Sequence, residues 1–441
     1  MPRFRVAVCG AGIGGLLAAV ALSKHEDIEL DLYEGASRLA EVGAGVGMFP
    51  RPWRILEQLG LDEDLLKTTV RPGKGPVPSF TYRKADAVVE GTEVYTLVMQ
   101  GGVTPLHRAD FQNTLLRHLP SHYRLHTSKR LKFYTQDKDG VTLTFEDGST
   151  AICDVLLAAD GMKSAARAQF LHDLASNAPE AATAESLLSC VPPVWTGITA
   201  YRALIPADKL RRCAPHHPAL TRQMHYFGKD GVLVAYPIMN GEVVNFAAFT
   251  ARHDLEGTPY ESAWFEQVGV SEFASVFANW ETDIQTLIQC VEKPLRWAIH
   301  TVKPLGTFVS GRVALLGDAA HAMHPNQGAG AGQAVEDAYM LATILGHPST
   351  HKGNLEKALS VYDAVRRPFS QHVARMSRFA AQIGTLNWPE GLPNNLDELE
   401  GDEWLRVIRK VPETAAANWE WAWLTTIDDD VERALHMLES W

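Results

Sequence analysis

The sequence predicts an α/β protein of two interleaved domains that ends in a helical C-terminus. Three observations predict it. A strand, glycine turn, helix and second strand open the chain at FRVAVCGAGIGGLLAAVALSKHEDIELDLYEGA. A block of strand-like runs, from about residue 187 to 299, separates that unit from a second strand, glycine loop and helix, RVALLGDAAHAMHPNQGAGAGQAVED. The length, 441 residues, is too great for one small core.

The opening unit is the most specific. Phe4 to Cys9 reads as a short strand, and Gly10, Gly12 and Gly15 fit G-x-G-x-x-G, with Gly14 inside the same turn. Gly10 permits the tight turn, Gly12 lets a pyrophosphate approach the backbone, and Gly15 lets helix and strand pack closely. The helix that follows offers unpaired N–H groups to phosphate at its N-terminus. The second strand, IELDLYE, ends on Glu34, about twenty residues beyond the last glycine, where a carboxylate hydrogen-bonds ribose hydroxyls. An acid at that place disfavours a 2′-phosphate, so these residues point to FAD or NAD.

The bulk numbers exclude other classes. Hydrophobic residues make up 46% and charged residues 21%, as in an ordinary globular protein. A net charge of −11 without runs of like charge argues against nucleic acid or an anionic membrane as partner. Five scattered cysteines, with no Cys-x-x-Cys, suggest neither a disulfide framework nor a zinc ribbon and fit a reducing, cytoplasmic setting. The first apolar run is broken by glycines and is neither signal peptide nor membrane span. Seventeen histidines include no metal-binding spacing, and no G-x-S-x-G elbow suggests hydrolase chemistry.

Two further motifs complete a resemblance. In DVLLAADGMKSAAR, Asp160, Gly161, Ser164 and Arg167 form D-G-x-x-S-x-x-R. In the second glycine-rich passage, Gly317, Asp318, His321, Pro325 and Gly328 form G-D-A-A-H…P…G. With the fingerprint, in this order and over nearly the whole chain, the sequence resembles the class A flavoprotein monooxygenases, the group that includes salicylate hydroxylase. Within it the chain resembles the fungal members that hydroxylate polyketide phenols, some of which dearomatise the ring.

The resemblance implies a para-hydroxybenzoate hydroxylase-like fold and FAD as cofactor. It implies NAD(P)H as co-substrate, NADPH favoured, and O2, with oxygen transferred from a flavin C4a-hydroperoxide to a small aromatic substrate. It implies that Asp318 accepts from the ribityl chain, that Gly330 and Ala331 present N–H groups to the flavin, and that Gly45 and Gly47 lie beside the ribityl chain. Relatives carry Gly-Pro-Asn near that loop. This chain has Phe49-Pro50-Arg51-Pro52 instead, so no side-chain role transfers. Arg108 matches an arginine placed on FAD, and Asp160 belongs to a segment that touches both FAD and NADPH. Arg202 in AYRAL and Tyr236 in AYPI match residues that bind the substrate phenolate, with His225 and Tyr226 as competitors. His321 and His324 flank the flavin loop, and His321 is expected to be structural.

The remaining elements follow. Lys138–Gly140 and Glu146–Gly148 signal hairpins on either side of VTLTF. TPLHRADFQNTLLRHL reads as an amphipathic helix with Arg108 at its start, and Trp264 to Gln289 as a helical stretch. NWEWAWL lacks the Ile-Pro of the halogenase motif and reads as core packing. The expected boundaries are 1–79, 102–186 and 300–375 for the FAD-binding domain, 80–101 and 187–299 for the substrate domain, and 376–441 for the helical region. The expected reaction is hydroxylation of a resorcinol-type phenol ortho to a phenolate, possible dearomatisation included. A flavin epoxidase acting on a non-phenolic substrate, and a flavin-binding oxidase or signalling module, are the alternatives.

Overall fold

The computed structural model describes residues 2–39, 45–87, 90–394 and 396–440. Its first sheet has six strands in the order Val309–Ser310, Val313–Leu315, Val155–Ala158, Phe4–Cys9, Ile28–Tyr33 and Arg124–His126. All neighbours are parallel except the first pair. The central strands are covered on both faces, which is why VLLA (Val155–Ala158) is apolar throughout and wholly buried. The helix Ile13–Leu22 is buried along almost its whole length. It lies against the helix Gly330–Gly346, and a Cβ on Gly14 would stand 3.3 Å from the Ala334 Cβ.

Both expected hairpins form, giving a three-stranded sheet of Leu131–Gln136, Val141–Phe145 and Thr150–Cys153. Two local expectations need correction. The helix begins at Arg108 as expected, but the TPLH ahead of it is a strand, Thr104–His107, paired with Gly45–Met48. Gly45 and Gly47 therefore lie in a short strand; residues 42–44 of the same glycine-rich passage lie outside the described residues. The stretch after Trp264 begins as an edge strand, Phe265–Gln267, paired with Leu295–Trp297, and turns helical from Ser271 onward.

The second sheet has eight strands: Phe265–Gln267, Leu295–Thr301, Val194–Pro206, Val243–Ala251, Gly231–Ile238, Met224–Gly228, Pro76–Lys84 and Thr92–Gln100. Strand alternation gives it two distinct faces. One face buries Tyr201, Tyr226, Leu233 and Phe246 against Phe273, Phe277 and Leu287 of the small helices. The other carries Tyr82, Phe227, Val232 and Ala247 and packs against Phe49 and the C-terminal residues Val411, Trp419 and Trp423. NWEWAWL thus does pack in a core, with the Phe49 and Trp419 rings 5.4 Å apart.

Four helices close the chain: Leu355–Gly384, Gly401–Ala417, Trp421–Leu424 and Asp428–Glu439. Among the described residues no helix is long and apolar enough to cross a membrane. One buried ionic cluster joins them to the parallel sheet. Arg366 donates to Asp337 at 2.9 Å and to Glu336 at 2.7 Å. Arg51 donates to Glu336 twice, at 3.1 Å, and to Asp430 at 2.5 Å. Arg51 belongs to the stretch that stands in place of Gly-Pro-Asn, and it anchors the last helix.

Candidate active site

The three motifs meet because their strands are neighbours. Gly10, Asp160 and Asp318 follow the carboxyl ends of three adjacent parallel strands, and Glu34 follows a fourth. Ligands of open parallel sheets bind at that edge. Gly10 has φ +106°, and a Cβ there would lie 2.2 Å from the Ala159 carbonyl oxygen. A Cβ on Gly15 would lie 1.9 Å from the Gly10 oxygen, whereas one on Gly12 would meet nothing within 4 Å. Gly10 and Gly15 are therefore fixed by the protein's own packing, and Gly12 faces open space where a phosphate can approach.

The other cofactor candidates surround this turn. Glu34 accepts from the N–H groups of Ala11 (2.8 Å) and Ala36 (2.7 Å), so it braces the turn while each oxygen keeps a free lone pair. Gln112 donates to the Ala11 carbonyl at 3.0 Å, which docks the helix Arg108–Arg117 on the fingerprint and holds half-buried Arg108 at its first position. Asp160 accepts from the Ser164 hydroxyl and from Ala166 N–H (3.0 Å), capping the helix Ala165–Ser176. Burial raises the Asp160 pKa, and those hydrogen bonds oppose it. Its carboxylate is thus used within the fold. Arg167, fully buried, donates to the carbonyls of Met162 and Ala319 and so ties the second motif to the third.

Asp318 differs from all of these. It is exposed between buried neighbours, and among the described residues it makes no hydrogen bond or ion pair. The preceding Gly317 has φ +59°, and its N–H is held at 3.0 Å by Asp337. Asp337 also accepts from His321 at 2.5 Å. His321 is therefore structural, as expected, and Asp337 positions the turn that presents Asp318. Past the loop, Ala329 caps the 17-residue helix Gly330–Gly346. The N–H groups of Gly330, Ala331 and Gly332 belong to its first turn, where a helix has no partner of its own to offer. An open glycine turn, two helix N-termini at one sheet edge and an acceptor facing outward fit the pyrophosphate, ribityl chain and ring of FAD.

The substrate candidates sit on one face of the eight-stranded sheet. Cross-strand registers place Arg202, Ala247, Val234, His225 and Tyr82 in one row, with Asn245 and Tyr236 in the next. Alternation puts Tyr226 on the opposite face, beneath the small helices, so it cannot compete with Tyr236. His225 remains on the site face. Its ring lies 4.4 Å from that of Tyr82, and Phe80 touches both His225 and Tyr236 edge-on at 6.4 and 6.1 Å.

Arg202 is half-buried, and among the described residues it makes no hydrogen bond or ion pair. Burial lowers its pKa, with the nearby Tyr236 opposing. Burial likewise raises the Tyr236 pKa, while Arg202 pulls it down, so the phenol stays protonated at neutral pH. His225 is held down to about 4 by burial and is neutral. The site face therefore carries one cation, two tyrosines and a neutral imidazole, and among the described residues no carboxylate is paired to the cation.

Sequence reasoning missed the buried ionic cluster and, although it assigned NWEWAWL to a core, missed that this core is the face of the substrate sheet. The first had a readable signal: Glu336 and Asp337 stand side by side in an apolar helix and require cations. The second had none, because Val411 and Trp419 reach the sheet only through the tertiary fold.

Comparison with known proteins agrees with this geometry. The family model described as an FAD binding domain matches residues 3–209 and 291–377. The FAD-dependent monooxygenase str9 of Strobilurus tenacellus is 35% identical over 99% of this chain and 98% of its own length. A salicylate hydroxylase of Pseudomonas putida is 35% identical over 98% of this chain and 94% of its own. A solved salicylate hydroxylase substrate complex superposes with a TM-score of 0.83 at 32% identity, covering 98% of both chains. The chain belongs to the FAD-binding-domain family and is an FAD-dependent aromatic monooxygenase, with NAD(P)H and O2 as its usual co-substrates.

Proposed function

We propose that the protein hydroxylates a substituted phenol of the resorcinol or polyketide type, ortho to a phenolate that Arg202 holds. The observation that carries this reading is the Arg202 guanidinium, half-buried on the site face without an anionic partner among the described residues. A charge withdrawn from water costs free energy unless it is paired, so a ligand anion is the missing partner. The relatives support an aromatic anion as that ligand: two are named salicylate hydroxylase and one, from Aspergillus terreus and 33% identical over 87% of this chain, 6-methylsalicylate 1-monooxygenase.

The residues divide the work. Gly12, the first turn of the helix Ile13–Leu22, Glu34 and Asp318 would hold FAD, which when bound and reduced activates O2 for transfer of one oxygen atom. Arg202 favours the ionised phenol. Lowering a phenol pKa from about 10 to about 7 needs about 4 kcal/mol of preferential stabilisation, and a partly desolvated cation with a hydrogen-bond donor supplies that order of energy. Tyr236, still protonated, donates to the same oxyanion and fixes the ring. Phe80 and Tyr82 keep water from the reacting carbon. Where that carbon bears a methyl group, no ring proton can leave, and the product is a dearomatised dienone with a tertiary alcohol. NADPH is the favoured reductant and a cytoplasmic setting the favoured location.

The test is a panel of substituted resorcinols and salicylates, measured for acceleration of NADPH oxidation, with products identified by mass and NMR. Acceleration by phenols, with one oxygen atom added ortho to a hydroxyl, is the expected result. Unaccelerated oxidation with every phenol would overturn the reading.

A further inference from the structure

Beside the substrate row lies a small pocket lined by Tyr82, His225, Asn326, Gln327 and Trp419. Its polar atoms are unevenly satisfied. Gln327 donates to the Asn418 carbonyl at 3.1 Å and accepts from Ser377 at 3.4 Å. In contrast, the Trp419 indole N–H, the Asn326 side-chain oxygen and His225 Nδ1 are all buried without a hydrogen-bond partner among the described residues. Trp419 is only 7% exposed. A buried polar atom left unpaired costs about 1–3 kcal/mol, and three residues that line one pocket each carry such an atom, which fits a polar group there.

The pocket stands at the far end of the Arg202 row. Arg202, Ala247, Val234 and His225 are cross-strand neighbours on successive strands. Three strand spacings place the ends of that row about 14 Å apart at the backbone. The two residues between them are small, so a ring can lie over Ala247 and Val234 with one substituent toward Arg202 and another toward Trp419. The missing partner must accept from the indole N–H and donate to the Asn326 oxygen. A hydroxyl is the smallest group that does both.

We propose that Trp419, from the C-terminal segment, and Asn326 form a subsite for a second hydroxyl of the aromatic substrate, remote from the phenolate on Arg202. The substrate class is then a dihydroxylated aryl compound, and Trp419 is a specificity-determining residue. The inference rests on the phenol reading above and narrows it.

The test uses the FAD-loaded enzyme and ligand pairs that differ at one oxygen: a methyl-substituted resorcinol, its mono-O-methyl ether and the corresponding mono-phenol. Dissociation constants are read from the change in the flavin spectrum on binding. In the native enzyme the free hydroxyl should tighten binding by about tenfold. Trp419→Phe keeps a ring but removes the N–H, and Asn326→Ala removes the acceptor without touching the tryptophan packing. Each should erase most of the hydroxyl's advantage while leaving the mono-phenol's affinity within about twofold. A hydroxyl advantage that persists in both variants, or no advantage in the native enzyme, overturns the subsite and leaves a pocket for water only. If no phenol in the set perturbs the flavin at all, it is the phenol reading itself that fails.

Discussion

Two arginines show how differently this molecule treats a charge removed from water. Arg366, in the cluster beneath the cofactor edge, is fully buried and answered by Asp337, Glu336 and Gln333. Arg202, on the substrate sheet, has no such answer among the described residues. In the first region the fold supplies its own counterions, and the charge serves architecture. In the second the fold supplies none among the described residues, and we propose that the ligand does. Burial depresses Arg202, whereas at Arg366 the two carboxylates more than offset it.

Breaking each region should therefore have opposite consequences. Arg366→Ala leaves Glu336 with Arg51, and Asp337 with His321 and the Gly317 N–H, and should cost about 3–5 kcal/mol of stability, read by chemical denaturation. Arg202→Ala should leave the denaturation midpoint unchanged and lower kcat/KM by about 3 kcal/mol, or more than a hundredfold, with FAD still bound. Equal destabilisation by both would mean that Arg202 has a structural partner. Normal turnover and coupling in Arg202→Ala would move the phenolate to His225.

At the cofactor edge the same contrast separates two acids. Asp337 is spent on Gly317, His321 and Arg366, while Asp318 is unspent. Asp318→Ala should weaken FAD binding by about 2–3 kcal/mol without unfolding the protein, as measured by titrating apoenzyme with FAD. Unchanged flavin affinity would show that the exposed carboxylate faces solvent alone.

The cofactor edge was legible in the sequence because backbone geometry constrains residue type. Only glycine fits where a Cβ would strike the Ala159 or Gly10 oxygen, so Gly10 and Gly15 announce the turn. The substrate face was legible only in part. Period-2 alternation fixes which residues share a face, and that would already have separated Tyr226 from Tyr236 given the strand register. Register itself is a tertiary property, and the sequence does not state it. The Asp160 carboxylate illustrates a further limit: one motif residue can cap a helix or reach a ligand, and here its hydrogen bonds are to Ser164 and Ala166. The roles of Arg51 and Trp419 depend on elements hundreds of residues away, so no local pattern could assign them.

Tyr236 and Tyr226 give a sharper form of the comparison, since they are tyrosines on adjacent strands, the first half-buried and the second fully buried. Tyr236→Phe removes a hydrogen bond to a charged oxygen and should cost about 1.5–2 kcal/mol in kcat/KM. Tyr226→Phe, on the far face, should leave kcat/KM unchanged. A reversed order would mean that the ring approaches the sheet from the side of the small helices.

The smallest effect concerns His324, which is 4% exposed and has neither ring nitrogen hydrogen-bonded. Burial holds it down to about 4; Glu256 opposes that, while Arg378 and His253 add to it. In the unfolded chain a histidine titrates near 6.5. Between those values the unfolded state binds a proton that the folded state refuses, so stability falls as pH drops from 6.5 toward 4. Going from pH 7 to pH 5.5, this one group should remove about 1 kcal/mol. Many other groups titrate in that window, so the difference between native protein and His324→Asn isolates it. The variant should lose about 1 kcal/mol less than the native protein over the same interval, measured by urea unfolding at the two pH values. Parallel pH profiles would show that His324 accepts its proton in the folded state, and hence that the loop ahead of Pro325 opens to water. That would place solvent next to the flavin loop, in conflict with the water exclusion that the oxygen-transfer step needs.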